Sequence, residues 1–280
     1  MRLKQVKIKN SFLSSLFVYH KRKDRHLFQT HLKPNDVFLV GHPKSGNTWL
    51  AYMLAIMLYR DVHNQINLAN IGEFIPYIHG EDSAIKRYRN IMTPRIFRNE
   101  WPKYSSLYPK SIYLIRDPRA VLVSYYYHYS TVMPEQKMTL PSFVDAYLAD
   151  GAIKHFEPAL MRWDKQVLQW LERSKCQAVQ IIKYENLISE RRQELELLAD
   201  FIGISTAQKE ISLAVARGDF KAMQINEEKY GIESYPAEMG KRGRFIRRGK
   251  ADGWKEEMPE YLAAQIESQF AEVLRQVGYL

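Results

Sequence analysis

The sequence predicts a three-layer α/β domain in which helices flank a central parallel sheet. Short runs of β-branched and aromatic residues alternate along the chain with longer helical patterns, as they do in strand–helix–strand units. The first run ends in a glycine-containing turn that leads directly into a long apolar segment. With 46% hydrophobic residues among 280, the chain has enough apolar material to bury a core between the layers.

Each element of the predicted domain follows from a local pattern. The runs with strand character are VFLVG (37–41), SIYLIRD (111–117) and VQIIKYENL (179–187), the last including its exit loop. The segments with helical character are 48–60, 120–129 with a proline at its start, and the amphipathic stretches 189–202 and 258–277. A polar, arginine-rich loop is predicted over 240–253. Ligands of such parallel sheets bind at the carboxyl ends of the strands.

No repeat, low-complexity tract or linker divides the chain, so we predict a basic N-terminal extension over 1–35 and a single domain over 36–280. The apolar stretch of the extension is broken by serines and is shorter than the roughly 20 residues that span a bilayer. It also lacks a clear small-residue cleavage site. We therefore expect a cytoplasmic protein without a signal peptide or transmembrane segment.

The net charge of +10 indicates an anionic partner, which could be nucleic acid, a membrane surface or a polyphosphorylated small molecule. Charge alone does not distinguish these three. The single cysteine, Cys176, excludes an intramolecular disulfide framework and a zinc cluster built on cysteines.

The turn after the first predicted strand has the spacing of a phosphate-binding loop. Gly41 and Gly46 match G-x-x-x-x-G between a strand and a helix, where backbone N–H groups and the helix dipole hold phosphate. Asn47 stands where nucleoside triphosphatases have a lysine, so the domain is of a modified P-loop type, and the only lysine of the loop is Lys44. A purely structural glycine turn is the alternative. Four accompanying residues weigh against it: Lys44, Ser45, Thr48 and Trp49.

Two further segments carry phosphate-binding residue types. Arg116 ends a predicted strand, and Ser124 follows eight residues later on the next helix, so both can point to one phosphate. The alternative is that Arg116 pairs with Asp117 and that Ser124 only packs. FIRRGKADGWK, at 245–255, supplies guanidinium groups and a glycine that allows close backbone approach. A solvated basic face is the alternative there.

These three segments resemble the motifs of PAPS-dependent sulfotransferases, where PAPS is 3′-phosphoadenosine 5′-phosphosulfate. PKSGNTW is similar to the family's 5′-phosphosulfate loop PKSGTTW, with Asn47 replacing a threonine. RDPRAVLVSYYYH resembles the 3′-phosphate motif, and FIRRGKADGWK resembles RKGxxGDWK, although Asp252 and Gly253 stand in reversed order. The resemblance covers most of residues 36–256 in order.

The resemblance implies a role for each matched residue. Lys44 would contact the bridging oxygen of the leaving phosphate, and Ser45, Gly46, Asn47 and Thr48 would hold the 5′-phosphate. Trp49 and Phe220 would pack around adenine, and Tyr184 matches a tyrosine before an acidic loop. The 3′-phosphate contacts would be Arg116, Ser124, Arg247, Arg248 and Gly249.

PRIFRNEWP, at 94–102, lies where cytosolic sulfotransferases carry PRxxKTHLP, whose histidine is the general base. Glu100 takes the place of that histidine, and a carboxylate can accept a hydroxyl proton. Arg98 takes the place of the lysine and can stabilise charge on the sulfuryl oxygens. The alternative is that Arg98 and Glu100 form an exposed salt-bridged loop and that the base is one of four histidines: His42, His79, His128 or His155.

The sequence thus predicts transfer of a sulfuryl group from PAPS to a hydroxyl of a small-molecule or carbohydrate acceptor, without a metal and without a nucleic-acid partner. A P-loop kinase and a basic nucleic-acid-binding module are the rival functions; Asn47 in place of the Walker lysine argues against the first, and no recognisable motif supports the second. Aromatic candidates for the acceptor site are Tyr52, Phe74, Tyr77 and Tyr125 to Tyr127. The sequence does not determine the oligomeric state.

Overall fold

A computed structural model describes residues 23–78, 81–92, 94–151, 153, 161–205, 208–233 and 243–280. Most of the predicted N-terminal extension lies outside the described residues. So do His79, His155 and residues 240–242 of the predicted polar loop. Within the described residues, no helix combines the length and the apolar character needed to cross a membrane.

The sheet has four parallel strands: β1 (Val37–Gly41), β2 (Ile96–Arg98), β3 (Lys110–Ile115) and β4 (Val179–Lys183). Their order in the sheet is β2-β1-β3-β4. The three strands predicted from the sequence are confirmed. β2 was not predicted, because three residues flanked by polar positions are too short to show the periodicity of a strand.

The strand order creates a switch point between β1 and β3. From β1 the chain continues to β2 on one side, and from β3 it continues to β4 on the other. The two central strands run in register, with Gly41 opposite Leu114. Because the following connections diverge, a crevice opens beyond the carboxyl ends of β1 and β3, where open α/β sheets bind their ligands.

Besides a helical stretch over 23–31, the structure describes ten α-helices and four 3-10 helices. The α-helices are α1 (Asn47–Leu58), α2 (Ile71–Phe74), α3 (Pro118–Val132), α4 (Leu140–Asp150), α5 (Trp163–Ser174), α6 (Tyr184–Ser189), α7 (Arg191–Ile202), α8 (Gln208–Arg217), α9 (Phe220–Tyr230) and α10 (Glu260–Gln276). The 3-10 helices are His63–Gln65, Asp82–Tyr88, Ser105–Leu107 and Gly253–Glu256.

The segment predicted as an exit loop after the third strand is α6, so that prediction was wrong. Tyr184 and Leu187 are both buried, three residues apart. This spacing places them on one face of a helix that packs against the core. Burial of that face overrides the loop-like appearance of YENL.

The core lies on both faces of the sheet, as a three-layer domain requires. Alternate residues of β1 point to opposite faces, with Phe38 and Val40 in one buried cluster and Val37 and Leu39 in the other. α3 and α10 cover the first face, and α1 covers the second. α1 is apolar on all sides because α8 packs on the face turned away from the sheet.

Candidate active site

A cavity of about 420 Å³ lies beyond the carboxyl ends of β1, β2 and β3. Its volume lies in the range of small-molecule ligand sites. Every site residue predicted from the sequence lines it, with the exception of Ser45. Three segments that are far apart in the sequence, at 43–49, 116–128 and 245–254, therefore meet at one place.

The loop between β1 and α1 depends on two residues with left-handed backbone. Lys44 has φ of 69° and Gly46 has φ of 103°. A Cβ at position 46 would lie 2.8 Å from the ring of Tyr184, so the site tolerates only glycine there. The Lys44 ammonium lies 4.2 Å from the ring centroid of Phe245, inside the cavity.

Two buried donors beside this loop have no hydrogen-bond partner among the described residues. They are the hydroxyl of Ser45 and the Nε of Arg116. An unmet buried donor costs about 1–3 kcal/mol, so such groups usually have a ligand or water to satisfy them. Both donors fit an anionic oxygen, although Ser45 itself lies behind the cavity wall rather than on it.

Arg116 does not pair with Asp117, which the sequence had left as an alternative. Asp117 caps α3 and forms an ion pair with Arg119 at 2.7 Å. Arg116 instead donates from Nη1 to the carbonyl oxygen of Lys44 at 2.9 Å and lies 4.1 Å from the ring centroid of Tyr184. Its guanidinium therefore faces the phosphate-binding loop.

An aromatic group next to the loop provides a place for a planar ring. The rings of Trp49 and Tyr184 meet edge to face at 5.4 Å. The Trp49 indole N–H donates to the carbonyl oxygen of Gly218 at 2.8 Å, which holds the ring in place. The guanidinium of Arg191 lies 5.1 Å from the Trp49 ring, and both line the cavity. Arg191 was not predicted as a site residue, because it lies in a charged stretch without any motif.

Phe220 and Gly249 close this side of the cavity. A Cβ on Gly249 would lie 2.2 Å from the Phe220 ring, and Gly249 has φ of 63°. Both the space and the backbone conformation therefore require glycine.

The two predicted phosphate-binding arginines of the C-terminal segment already have carboxylate partners. Arg247 contacts Glu257 at 2.6 Å, and Arg248 contacts Glu256 at 2.6 Å. Arg247 also lies 4.1 Å from the ring centroid of Tyr127. These two glutamates were not predicted to contribute to the site, although they directly follow the motif.

Glu100 faces the cavity and does not pair with Arg98. Its Oε1 accepts a 2.8 Å hydrogen bond from the amide of Asn47, and its Oε2 accepts a 2.7 Å hydrogen bond from the hydroxyl of Tyr77. Arg98 is buried; it donates to the carbonyl oxygen of Ile75 and pairs with Glu233 at 2.7 Å. The alternative of an exposed salt bridge between Arg98 and Glu100 is therefore wrong.

Of the four histidines considered as alternatives, two are described. His42 is fully buried between Tyr147 and Pro43, and burial lowers its pKa to about 4. It does not line the cavity. His128 does line it, and burial together with the charge of Lys44 lowers the pKa of His128 to about 2.

The aromatic candidates for the acceptor site separate into two groups. Tyr77 lines the cavity and stacks on Trp101 with ring centroids 6.1 Å apart. Tyr52 and Tyr125 are buried core residues instead. Trp101 was missed, although it follows Glu100 directly; its buried indole N–H has no partner among the described residues.

The parallel sheet, the loop before α1 and the crevice at the switch point define a phosphate-binding α/β protein of the P-loop type. A family model described as the sulfotransferase domain matches residues 34–278. This chain belongs to that family.

Similar proteins agree with this assignment. The chain is 28% identical over 262 residues to the 3-beta-hydroxysteroid sulfotransferase of Cavia porcellus, covering 89% of this chain and 86% of the relative. It is 22% identical to the amine sulfotransferase of Oryctolagus cuniculus, covering 87% and 82% of the two chains.

Two solved structures share the fold. Retinol dehydratase in complex with androsterone and inactive cofactor PAP superposes with a TM-score of 0.68 at 18% identity, covering 87% of this chain and 81% of that one. Mouse sulfotransferase SULT7A1 complexed with PAP superposes with a TM-score of 0.64 at 21% identity, covering 87% and 86%.

Proposed function

We propose that this protein transfers the sulfuryl group of PAPS to a hydroxyl group of a small-molecule acceptor, giving a sulfate ester and adenosine 3′,5′-bisphosphate. The convergence of three phosphate-type segments on one cavity is the observation that carries the proposal. Two similar structures are complexes with PAP, which is adenosine 3′,5′-bisphosphate, and this supports the same nucleotide here.

The nucleotide-binding roles follow the distribution of donors around the cavity. The loop residues Ser45 to Thr48 would hold the 5′-phosphate with backbone N–H groups. Trp49, Tyr184 and Phe220 would surround the adenine. The 3′-phosphate would be held by Arg116, Ser124, Arg247, Arg248 and Gly249.

In the proposed chemistry, Lys44 acts on the leaving-group side of the sulfuryl group and Glu100 acts on the acceptor side. Lys44 would neutralise the negative charge that develops on the leaving phosphate oxygen. Glu100 would accept the hydroxyl proton of the acceptor. We expect Arg98 to contribute less than Lys44 to stabilising the sulfuryl oxygens, because Glu233 neutralises its charge.

The acceptor is proposed by class only. The stacked pair Tyr77 and Trp101 offers an aromatic wall next to Glu100, which suits a ring-containing alcohol, a phenol or a sugar. One relative is named for hydroxysteroids and another for amines. The absence of a metal requirement, the cytoplasmic location and the lack of a nucleic-acid partner stay predictions.

Calorimetric titration with adenosine 3′,5′-bisphosphate, ATP with Mg²⁺, and an oligonucleotide tests the class of activity. We expect strong preference for the bisphosphate. Preference for ATP would favour a kinase, and preference for the oligonucleotide would favour a nucleic-acid-binding module. A screen of steroid, phenol and sugar acceptors with radiolabelled PAPS then tests turnover directly.

A further inference from the structure

The carboxylate of Glu100 is held by two side chains from different parts of the chain. The Asn47 amide belongs to the first turn of α1, and the Tyr77 hydroxyl belongs to a segment that pairs with β2. Each donates to a different carboxylate oxygen, at 2.8 and 2.7 Å. The orientation of the carboxylate is therefore set by two bonds rather than by rotamer preference alone.

The amide of Asn47 has no donor left for a phosphate. Its nitrogen faces three acceptors, Glu100 Oε1 at 2.8 Å and the carbonyl oxygens of Gly41 and His42 at 3.3 and 3.4 Å. An amide nitrogen carries two hydrogens, so one serves Glu100 and the other is shared by the two carbonyls. The remaining atom, Oδ1, is an acceptor and cannot donate to a phosphate oxygen.

The backbone on which these side chains stand is also fixed. The N–H of Asn99 donates to the carbonyl oxygen of Leu39 in β1 at 3.0 Å, and Gln166 donates to the carbonyl oxygen of Glu100 at 3.2 Å. On either side of Tyr77, hydrogen bonds of 2.8 and 3.0 Å tie the chain to Arg98 in β2. Small shifts of the carboxylate are thus resisted from several directions.

We propose that Asn47 and Tyr77 are positioning residues that orient the Glu100 carboxylate towards the acceptor hydroxyl, and that the Asn47 side chain serves this carboxylate rather than the 5′-phosphate. This inference rests on the proposed sulfuryl transfer. Asn47 is the residue at which the first motif departs from the family pattern, and Glu100 is one of the residues at which PRIFRNEWP departs from it. Their direct contact explains why the two departures occur together: a threonine side chain is one bond shorter and carries a single donor.

In the proton-transfer step, Glu100 uses a lone pair that is not occupied by the hydrogen bonds from Asn47 and Tyr77. An ionised carboxylate has about four lone-pair positions, of which Asn47 and Tyr77 occupy two. A free lone pair of Glu100 takes the hydroxyl proton while the hydroxyl oxygen forms a bond to sulfur. The bond between sulfur and the bridging phosphate oxygen breaks, and its electron pair leaves with that oxygen beside Lys44.

The test combines single variants with a double-mutant cycle. We expect Asn47→Thr to lower kcat by roughly tenfold or more at saturating substrates, and to change the Kd of adenosine 3′,5′-bisphosphate by less than about threefold. Tyr77→Phe, which removes a single oxygen, should behave in the same way. In a Glu100→Gln background, either substitution should change kcat by less than about twofold, because the group through which it acts is already lost.

Two matched controls are available outside the cavity. Asn186 donates to Glu194 at 2.9 Å, and the Tyr59 hydroxyl donates to the carbonyl oxygen of Phe74 at 3.0 Å. Asn186→Thr and Tyr59→Phe remove bonds of the same kind, and we expect both variants to keep wild-type kcat and Kd.

Each outcome decides the proposal. Unchanged kcat in Asn47→Thr and Tyr77→Phe, or losses that are fully additive with Glu100→Gln, would overturn the positioning role and leave sulfuryl transfer intact. A large loss of bisphosphate affinity in Asn47→Thr would show that its side chain holds the phosphate. Absence of any PAPS turnover by the wild-type protein would overturn the proposed function, and this inference with it.

Discussion

The guanidinium of Arg116 donates a 2.9 Å hydrogen bond to the backbone carbonyl oxygen of Lys44. Lys44 is the only non-glycine residue with positive φ in the part of the chain that the structure describes. The arginine at the end of β3 therefore supports the unfavourable backbone of the loop after β1. Two motifs that are independent in the sequence form one structural unit, and substitutions in one of them should affect the other.

The first prediction follows from this contact. Arg116→Ala should weaken binding of adenosine 3′,5′-bisphosphate by about 1.5–3 kcal/mol, because it removes a charged contact to the 3′-phosphate. It should also weaken binding of adenosine 5′-phosphate, by a smaller amount, because it loosens the loop. Ser124→Ala should weaken only the bisphosphate. Calorimetry with both nucleotides measures the difference, and Ser174→Ala on α5 serves as the control. Equal losses in Ser124→Ala for both nucleotides would contradict the proposed 3′ site.

Lys44→Ala should remove most turnover in a folded protein. Lys44 acts on charge that appears only in the transition state, so we expect kcat to fall by about a hundredfold or more. The exposed Lys175 pairs with Glu172 on the surface, so Lys175→Ala is a suitable control. Steady-state kinetics with circular dichroism checks both variants; near-normal kcat in folded Lys44→Ala would disprove the role.

Glu100→Gln should lower kcat by roughly a hundredfold or more, because an amide keeps the shape but cannot accept a proton. His128→Gln should lose less than about tenfold. The low pKa values of His128, about 2, and His42, about 4, mean that neither changes charge near pH 6.5. We therefore expect the pH profile of kcat to show no acid limb near pH 6.5.

Measuring kcat against pH for the wild-type protein, Glu100→Gln and His128→Gln identifies the general base. An active Glu100→Gln beside an inactive His128→Gln would transfer the role to His128. An acid limb near pH 6.5 in the wild-type protein would point to a histidine outside the described residues, His79 or His155.

Gly249→Ala should weaken nucleotide binding more than backbone strain alone explains. An added Cβ would lie 2.2 Å from Phe220 and displace a proposed neighbour of adenine. Gly203→Ala is the matched control, since Gly203 also has positive φ, 83°, but its Cβ would meet only the end of the Lys110 side chain at 3.8 Å. Both variants should lose about 1 kcal/mol of stability from strain, whereas only Gly249→Ala should raise the Kd for adenosine 3′,5′-bisphosphate, by at least about tenfold. Equal Kd values for the two variants would argue against adenine packing on Phe220.

The buried His42 should make the protein less stable in mild acid. Its Nδ1 donates to the carbonyl oxygen of Pro43, so its Nε2 accepts from the Tyr147 hydroxyl, and burial lowers its pKa from 6.5 to about 4. Below pH 6.5, His42 binds a proton in the unfolded chain but stays neutral in the folded protein until the pH approaches 4. The free energy of unfolding is therefore at its full value above pH 6.5 and decreases as the pH falls towards 4. At pH 5 this loss amounts to roughly 2 kcal/mol.

Urea unfolding at pH 7 and pH 5 measures the effect. The difference in unfolding free energy between the two pH values should be smaller in His42→Gln than in the wild-type protein by roughly 2 kcal/mol. His26→Gln, at an exposed histidine, is the control. An identical difference in His42→Gln and the wild-type protein would contradict the assignment.

The sequence by itself determined the elements whose signals are local. β1, β3 and β4 are short runs in which apolar and β-branched residues predominate, and the turn from Gly41 to Thr48 combines glycine spacing with a following helix. Secondary-structure propensity, hydrophobic periodicity and turn residues depend on neighbours within a few residues, so strands, helices and turns of this kind can be predicted without knowledge of the tertiary structure. The same locality explains why the first two phosphate-type segments meet in the cavity, because each directly follows a strand of one parallel sheet. The segment at 245–255 follows no described strand, and only the tertiary structure brings it to the cavity.

Only the tertiary structure decided the features that join distant segments. β2 exists because three residues pair with β1, and α6 exists because Tyr184 and Leu187 are buried against the core. The pairing of Arg98 with Glu233, 135 residues away, and of Asn47 with Glu100, 53 residues away, leaves no local pattern in the sequence. Hydrogen bonds and ion pairs of this kind depend on which side chains the packing brings within about 3 Å of each other. No short segment of the sequence shows which distant residues will come that close.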